Sequence, residues 1–139
     1  FMSMPSLRNR VLGIIMYKYD VKGFLQWGYN FYHADRSMYV IDPYLTSSGD
    51  GMVPSGDPFS VYPGKDGPVA SLRALNFKDA LQDVDILKAL AQRTSHEHVV
   101  ELIEKLAGME IRFDKYPRNY EFIPALMDAV RLELEAGTC

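Results

Sequence analysis

GFLQWGYNFYHADRSMYVIDPYLTSSGDGMVPSGDPFSVYPGKDGPVASLR, residues 23–73, is the stretch on which the fold turns. Phe24 to Tyr32 is rich in aromatic residues and sets Leu25, Trp27 and Tyr29 against Phe24, Gln26 and Gly28, the period of two that predicts a β-strand. A strand apolar on both faces belongs inside a covered sheet, and alone it has two unpaired edges. A missing N-terminal part of the same protein, or a second copy of this chain, is therefore expected to cover it. From His33 to Pro68, Gly, Pro, Ser and Asp dominate and periodicity is lost, which predicts a long loop. The loop is expected to be ordered, because Tyr39, Val40, Ile41, Tyr44, Val53, Phe59, Val61 and Tyr62 are more large apolar groups than flexible linkers carry. A short apolar strand ending in Trp and Tyr, followed by a Gly/Pro/Asp-rich loop, suits the mouth of a sugar-binding barrel.

On either side of this stretch the period changes to that of helices. Leu7, Val11, Ile14 and Ile15 predict a helix over Ser6 to Tyr19, with Ser3 to cap it and Pro5 in its first turn. Asp20 to Gly23 then makes a tight turn. Ser71 caps a helix expected to run to about Arg93, its apolar stripe being Leu72, Leu75, Leu81, Val84, Leu87 and Leu90, with Phe77 and Ala80 at the edge. A third helix is predicted from Ser95 to Ala107, with Val99, Val100, Ile103 and Leu106 inward and Gly108 ending it. After a short extended segment, Met109 to Phe113, and a turn around Pro117, the last helix is expected over Glu121 to Ala136. It would bury Ile123, Leu126, Met127, Val130 and Leu134, with Pro124 in its first turn. The fold class is α/β and helix-rich, with one core strand, a long loop and about four helices. The 139 residues are too few for a whole (β/α)8 barrel, for which about 250 are typical, so on a barrel reading this is a piece of one.

Composition narrows the functional classes. An apolar share of 47% with 24% charged residues is that of a globular protein. The net charge is −3 and the basic residues are scattered among acids, which argues against nucleic acid as a partner. No apolar run approaches the roughly 20 residues that span a bilayer, and FMSMPSLRNR lacks the apolar core of a signal peptide. The single cysteine, Cys139, allows neither an intrachain disulfide nor a cysteine metal site. The loop carboxylates Asp42, Asp50 and Asp57 match no EF-hand spacing, and turn-making at the Asp-Pro steps is the expected role of Asp42 and Asp57. No metal and no cofactor is expected.

The residues suited to a ligand are Trp27, Tyr29, Asn30, Asp42 and Tyr62. An indole face matches the C–H patch of a pyranose, while a tryptophan on a barrel strand serves equally as core. Tyr29 and Asn30 offer a hydroxyl and an amide to sugar hydroxyls, or anchor the loop. Tyr62 is a wall or lid residue, or pins the loop. Arg73 is expected to pair with Asp66 or Asp42, because its charge opposes the helix dipole at that end. His33, His96 and His98 accompany no serine or cysteine in a nucleophile context.

The run RVLGIIMYKYDVKGFLQWGYNFY, then DPY, GDG, VYPG, GPVASLR and DALQDVDIL, resembles the C-terminal part of the bacterial "domain of unknown function 4091", the catalytic region of glycoside hydrolase family 123. The likeness spans Arg8 to about Leu90. It implies a (β/α)8 barrel, a carbohydrate ligand and a retaining, substrate-assisted N-acetylhexosaminidase in which the 2-acetamido group is the nucleophile. The family's adjacent Asp-Glu pair, one acid/base and one residue orienting the acetamido group, lies at an earlier strand end. No Asp-Glu dipeptide occurs here, so the pair is expected upstream and the fragment alone inactive. Where the family has a Glu after SxR and a Gly-x-Glu-Asp further on, Leu75, Ala80, Gln82 and Asp83 stand instead.

Overall fold

The computed structural model describes residues 6–137, so Ser3, Pro5 and Cys139 lie outside the described residues. Four helices, α1 (Leu7–Lys18), α2 (Leu72–Arg93), α3 (His96–Ala107) and α4 (Phe122–Ala136), accompany one antiparallel hairpin, β1 (Val61–Gly64) and β2 (Gly67–Ala70). The chain is thus α/β and helix-rich. It divides into two compact units, one of residues up to Asn9 with Gly23–Asn76, the other of Arg10–Lys22 with the residues from Phe77 on. No helix among the described residues is long and apolar enough to cross a membrane.

In the first unit Ala34, Ile41 and Phe59 form a small core on which Tyr32 and Tyr62 pack. The core strand expected over Phe24 to Tyr32 is not formed. That segment meets its neighbour at an isolated bridge, Asn30 to Phe59, and Leu25 is 88% exposed. A ladder requires a partner whose N–H and C=O groups match along several residues. Here the partner, residues 57–61, supplies only local bonds: Phe31 N–H to the Pro58 carbonyl at 3.0 Å, and Ser60 and Val61 N–H to the Tyr29 carbonyl at 2.8 and 3.2 Å. The sheet forms instead within the stretch expected to be loop, where VYPG and GPVA pair in register from Val61 with Ala70 to Gly64 with Gly67. The rest of that loop is ordered as expected, burying Ile41 and Phe59.

In the second unit α1 and α2 cross at close range. A Cβ on Gly13 would stand 2.2 Å from the Ala80 carbonyl oxygen, so glycine is what lets the two backbones meet. Beside this crossing Arg10 grips buried Asp83 with two bonds, Nε to Oδ2 at 2.5 Å and Nη2 to Oδ1 at 2.9 Å. The buried line of α2 is Ala80, Asp83, Val84, Leu87 and Leu90. Leu72, Leu75 and Leu81, expected on the inward stripe, are exposed. The i, i+3, i+4, i+7 series starts at Ala80, which places Leu81 about 100° off it, and the series runs through a carboxylate that Arg10 neutralises.

Helix ends follow local chemistry. Val21 N–H bonds to the Met16 carbonyl at 2.9 Å and Asp20 N–H to that of Tyr17 at 3.2 Å, closing α1 with Asp20 in the left-handed region at φ 51°. Ser71 Oγ accepts Ala74 N–H at 3.2 Å, and Ser95 Oγ accepts His98 N–H at 3.1 Å. Gly108 ends α3 at φ 65°. On α3 and α4, which pack together, Val99, Ile103, Phe122, Ile123, Leu126 and Val130 are buried, while Leu106 is exposed.

Candidate functional site

The hairpin organises the aromatic groups of the first unit. Tyr32 donates its hydroxyl to the Val61 carbonyl at 2.8 Å, and Tyr44 donates to that of Pro63 at 2.8 Å. Burial first, then the nearby hydroxyls of Tyr44, Tyr29 and Tyr62, push Tyr32 above the ordinary phenol value, which keeps it a neutral donor. Tyr62 meets Phe59 edge-on with ring centres 5.2 Å apart, and Tyr44 at 5.3 Å. Its hydroxyl lies 3.5 Å from Arg73 Nη2, and the guanidinium carbon is 5.9 Å from the centre of the Tyr62 ring. Arg73 also donates to the Phe59 carbonyl at 2.8 Å, holding the start of β1. These are the partners of Arg73, in place of the Asp66 or Asp42 expected.

Pro43, Tyr44, Leu45, Ser47, Tyr62 and Val69 line an open cleft of about 440 Å³. It offers aromatic and aliphatic wall and the phenol of Tyr62, which accepts from Arg73 and keeps its own proton to donate onward. Such a mixture, mostly apolar with a few placed polar groups, is the usual make-up of a small-molecule site.

The five residues named from the sequence fall into separate places. Tyr62 lines the cleft. Asp42 stands at its edge as a turn residue: its carboxylate accepts Tyr44 N–H at 2.9 Å, and its carbonyl accepts from Leu45 and Thr46. By this turn Asp42 places Tyr44, its contribution to the cleft. Trp27 belongs to another aromatic group, its ring 5.6 Å from Phe31, which is in turn 5.4 Å from His33. Half-exposed, Trp27 donates Nε1–H to Asp57 Oδ2 at 3.1 Å. Tyr29 is exposed and engages β1 through its carbonyl; Asn30 makes the bridge to Phe59. Sequence reasoning missed Tyr44 as a wall residue and the Arg73 to Tyr62 contact. The signal for the first was present in DPY, since an Asp-Pro turn fixes the direction of the residue that follows.

Residues 1–90 contain no glutamate. Of the aspartates in this unit, Asp35, Asp42, Asp50 and Asp66 are exposed and Asp57 is half-buried against Trp27.

The family described as Glycoside hydrolase 123, catalytic domain, matches residues 1–90. No curated protein matches the chain.

Proposed function

The chain belongs to the glycoside hydrolase 123 catalytic-domain family, and from that premise we propose that it supplies part of the substrate-binding wall of a retaining, substrate-assisted N-acetylhexosaminidase. In this reading the matched residues are the C-terminal portion of a (β/α)8 barrel. The Tyr44 and Tyr62 rings hold a pyranose, and the Tyr62 hydroxyl, oriented by Arg73, donates to a sugar oxygen. The adjacent Asp-Glu pair that protonates the leaving group and orients the 2-acetamido nucleophile comes from outside this chain. The observation that carries the reading is the family match over a segment whose cleft is lined by the Tyr44 and Tyr62 rings and which contains no glutamate. Substrate-assisted cleavage needs one acid/base and one orienting acid, and the wall contributes affinity and register.

The test pairs binding with turnover. The chain is expected to bind an N-acetylhexosamine and to leave a chromogenic N-acetylhexosaminide uncleaved. Tyr44→Ala should weaken binding about tenfold, the effect of removing one aromatic wall, and Tyr62→Phe about three- to tenfold through one lost hydrogen bond. Robust turnover by the chain itself would show that the acids lie within it. A second reading, a non-catalytic carbohydrate-binding or assembly module, draws on the half-exposed Trp27 ring. Sugar quenching of Trp27 fluorescence that Tyr44→Ala leaves intact would favour it.

A further inference from the structure

Three carbonyls at alternate positions along residues 59–63 each accept a side-chain donor at 2.8 Å: Phe59 from Arg73 Nη2, Val61 from the Tyr32 hydroxyl and Pro63 from the Tyr44 hydroxyl. The three donors are not held alike. Arg73 lies in α2, and Tyr32 packs on the fully buried Phe59 with ring centres 5.8 Å apart, so the base of the hairpin is tied to a helix and to the core. Tyr44 is 62% exposed, and its hydroxyl meets the Pro63 carbonyl at the surface. We propose that Tyr44 is the movable wall of the Tyr44–Tyr62 cleft, latched by its hydrogen bond to the Pro63 carbonyl, and that Tyr62 is the fixed wall. The proposal rests on the reading of the cleft as a sugar-binding wall and adds how that wall closes.

The two walls differ in what fixes them. The Tyr62 backbone pairs with Val69 across the hairpin, its ring meets Phe59 edge-on, and its hydroxyl lies 3.5 Å from Arg73 Nη2. Contacts from three segments thus hold that ring. The Tyr44 backbone is also set, because the Asp42 carboxylate accepts its N–H at 2.9 Å. Its freedom lies beyond Cβ, in the torsions of an exposed ring, which exchange in picoseconds to nanoseconds. Between partners that water reaches, a hydrogen bond is traded against bonds to water, so the latched and open states differ in population by a factor of about two to ten. A sugar that lies on both rings contacts both in the latched state, and binding therefore draws the population toward it. The apparent affinity scales with the latched fraction.

Ring NMR on the full chain, with isotope-labelled tyrosine and phenylalanine, tests this. Without ligand, Tyr44→Phe, which keeps the ring and removes the latch, should lower the order of the ring at position 44 and its cross-relaxation with Tyr62. That between Tyr62 and Phe59 should stay unchanged. The methyl glycoside of N-acetylgalactosamine should restore the order of this ring in Tyr44→Phe. It should bind that variant about two- to fivefold more weakly than the parent, a smaller loss than Tyr44→Ala gives. A ring at position 44 as ordered in Tyr44→Phe as in the parent overturns the proposal, since packing then holds the wall. So does glycoside binding that leaves that ring mobile. A parent that takes up no glycoside overturns the wall reading instead, and the ligand-free ring order then upholds or overturns the latch.

Discussion

A methyl group at position 28 has nowhere to go. A Cβ there would lie 1.8 Å from the Asp57 carbonyl oxygen and 2.7 Å from the Pro58 carbonyl carbon, both of them backbone. The glycine of the WGYN motif is thus what brings Trp27 to Asp57 and the Tyr29 carbonyl to the start of β1. Gly28→Ala is expected to destabilise the fold by about 1–3 kcal/mol through forced backbone displacement. Thermal unfolding measures the loss, and weaker Trp27 burial on fluorescence should accompany it. At the same scale Asp42, named from the sequence for a ligand, is engaged within its own turn: its carboxylate accepts Tyr44 N–H and fixes the backbone that carries the Tyr44 ring. The residue type was legible in the sequence, whereas its partner depended on the turn that Pro43 sets.

At the scale of elements, α2 separates what hydrophobicity says from what packing selects. Leu87 is fully buried and Leu81 is 54% exposed, although both are leucines on one helix. Leu87→Ala should cost about 2–5 kcal/mol, and Leu81→Lys should stay within about 0.5 kcal/mol of the parent. Chemical denaturation of the two variants checks this directly; equal losses would restore the stripe that leucine spacing predicts. The ends of α2 and α3 were readable, because Ser71, Ser95 and Gly108 act on backbone groups within a few residues of themselves. The strand over Phe24 to Tyr32 was not. Alternation records which side chains are apolar, but a strand exists only where a second segment offers a matching row of donors and acceptors. VYPG and GPVA do so for each other across the short turn of Lys65 and Asp66.

For the molecule as a whole, one contribution to stability against acid is expected from the end of α1. Lys18 Nζ donates to Glu104 Oε1 at 2.8 Å and to the Ile111 carbonyl at 2.7 Å, and the same Glu104 oxygen accepts Ile111 N–H at 3.1 Å. Glu104 is held below the ordinary carboxylate value first by the hydrogen bond from Lys18, with Ile111 N–H and the Lys18 charge adding to it against the cost of burial. A folded-state pKa below the unfolded one contributes stability that is full above the unfolded value, about 4.3, and is lost as pH falls through the folded value. Melting temperatures taken from about pH 6 down to pH 3 should therefore fall less steeply in Glu104→Gln than in the parent. Parallel curves for the two proteins would assign the acid limb to other groups.

Family membership, four helices, the caps Ser71, Ser95 and Gly108, and an ordered aromatic loop were legible in the sequence alone, because each rests on neighbours in the chain or on a motif order. Tertiary structure decided the rest. Which leucines are buried, where the two strands lie, and that Tyr44 joins Tyr62 while Trp27 joins Phe31 all depend on segments far apart in sequence meeting at one distance and register. A one-dimensional pattern carries the hydrophobicity of each residue and leaves the identity of its partner open.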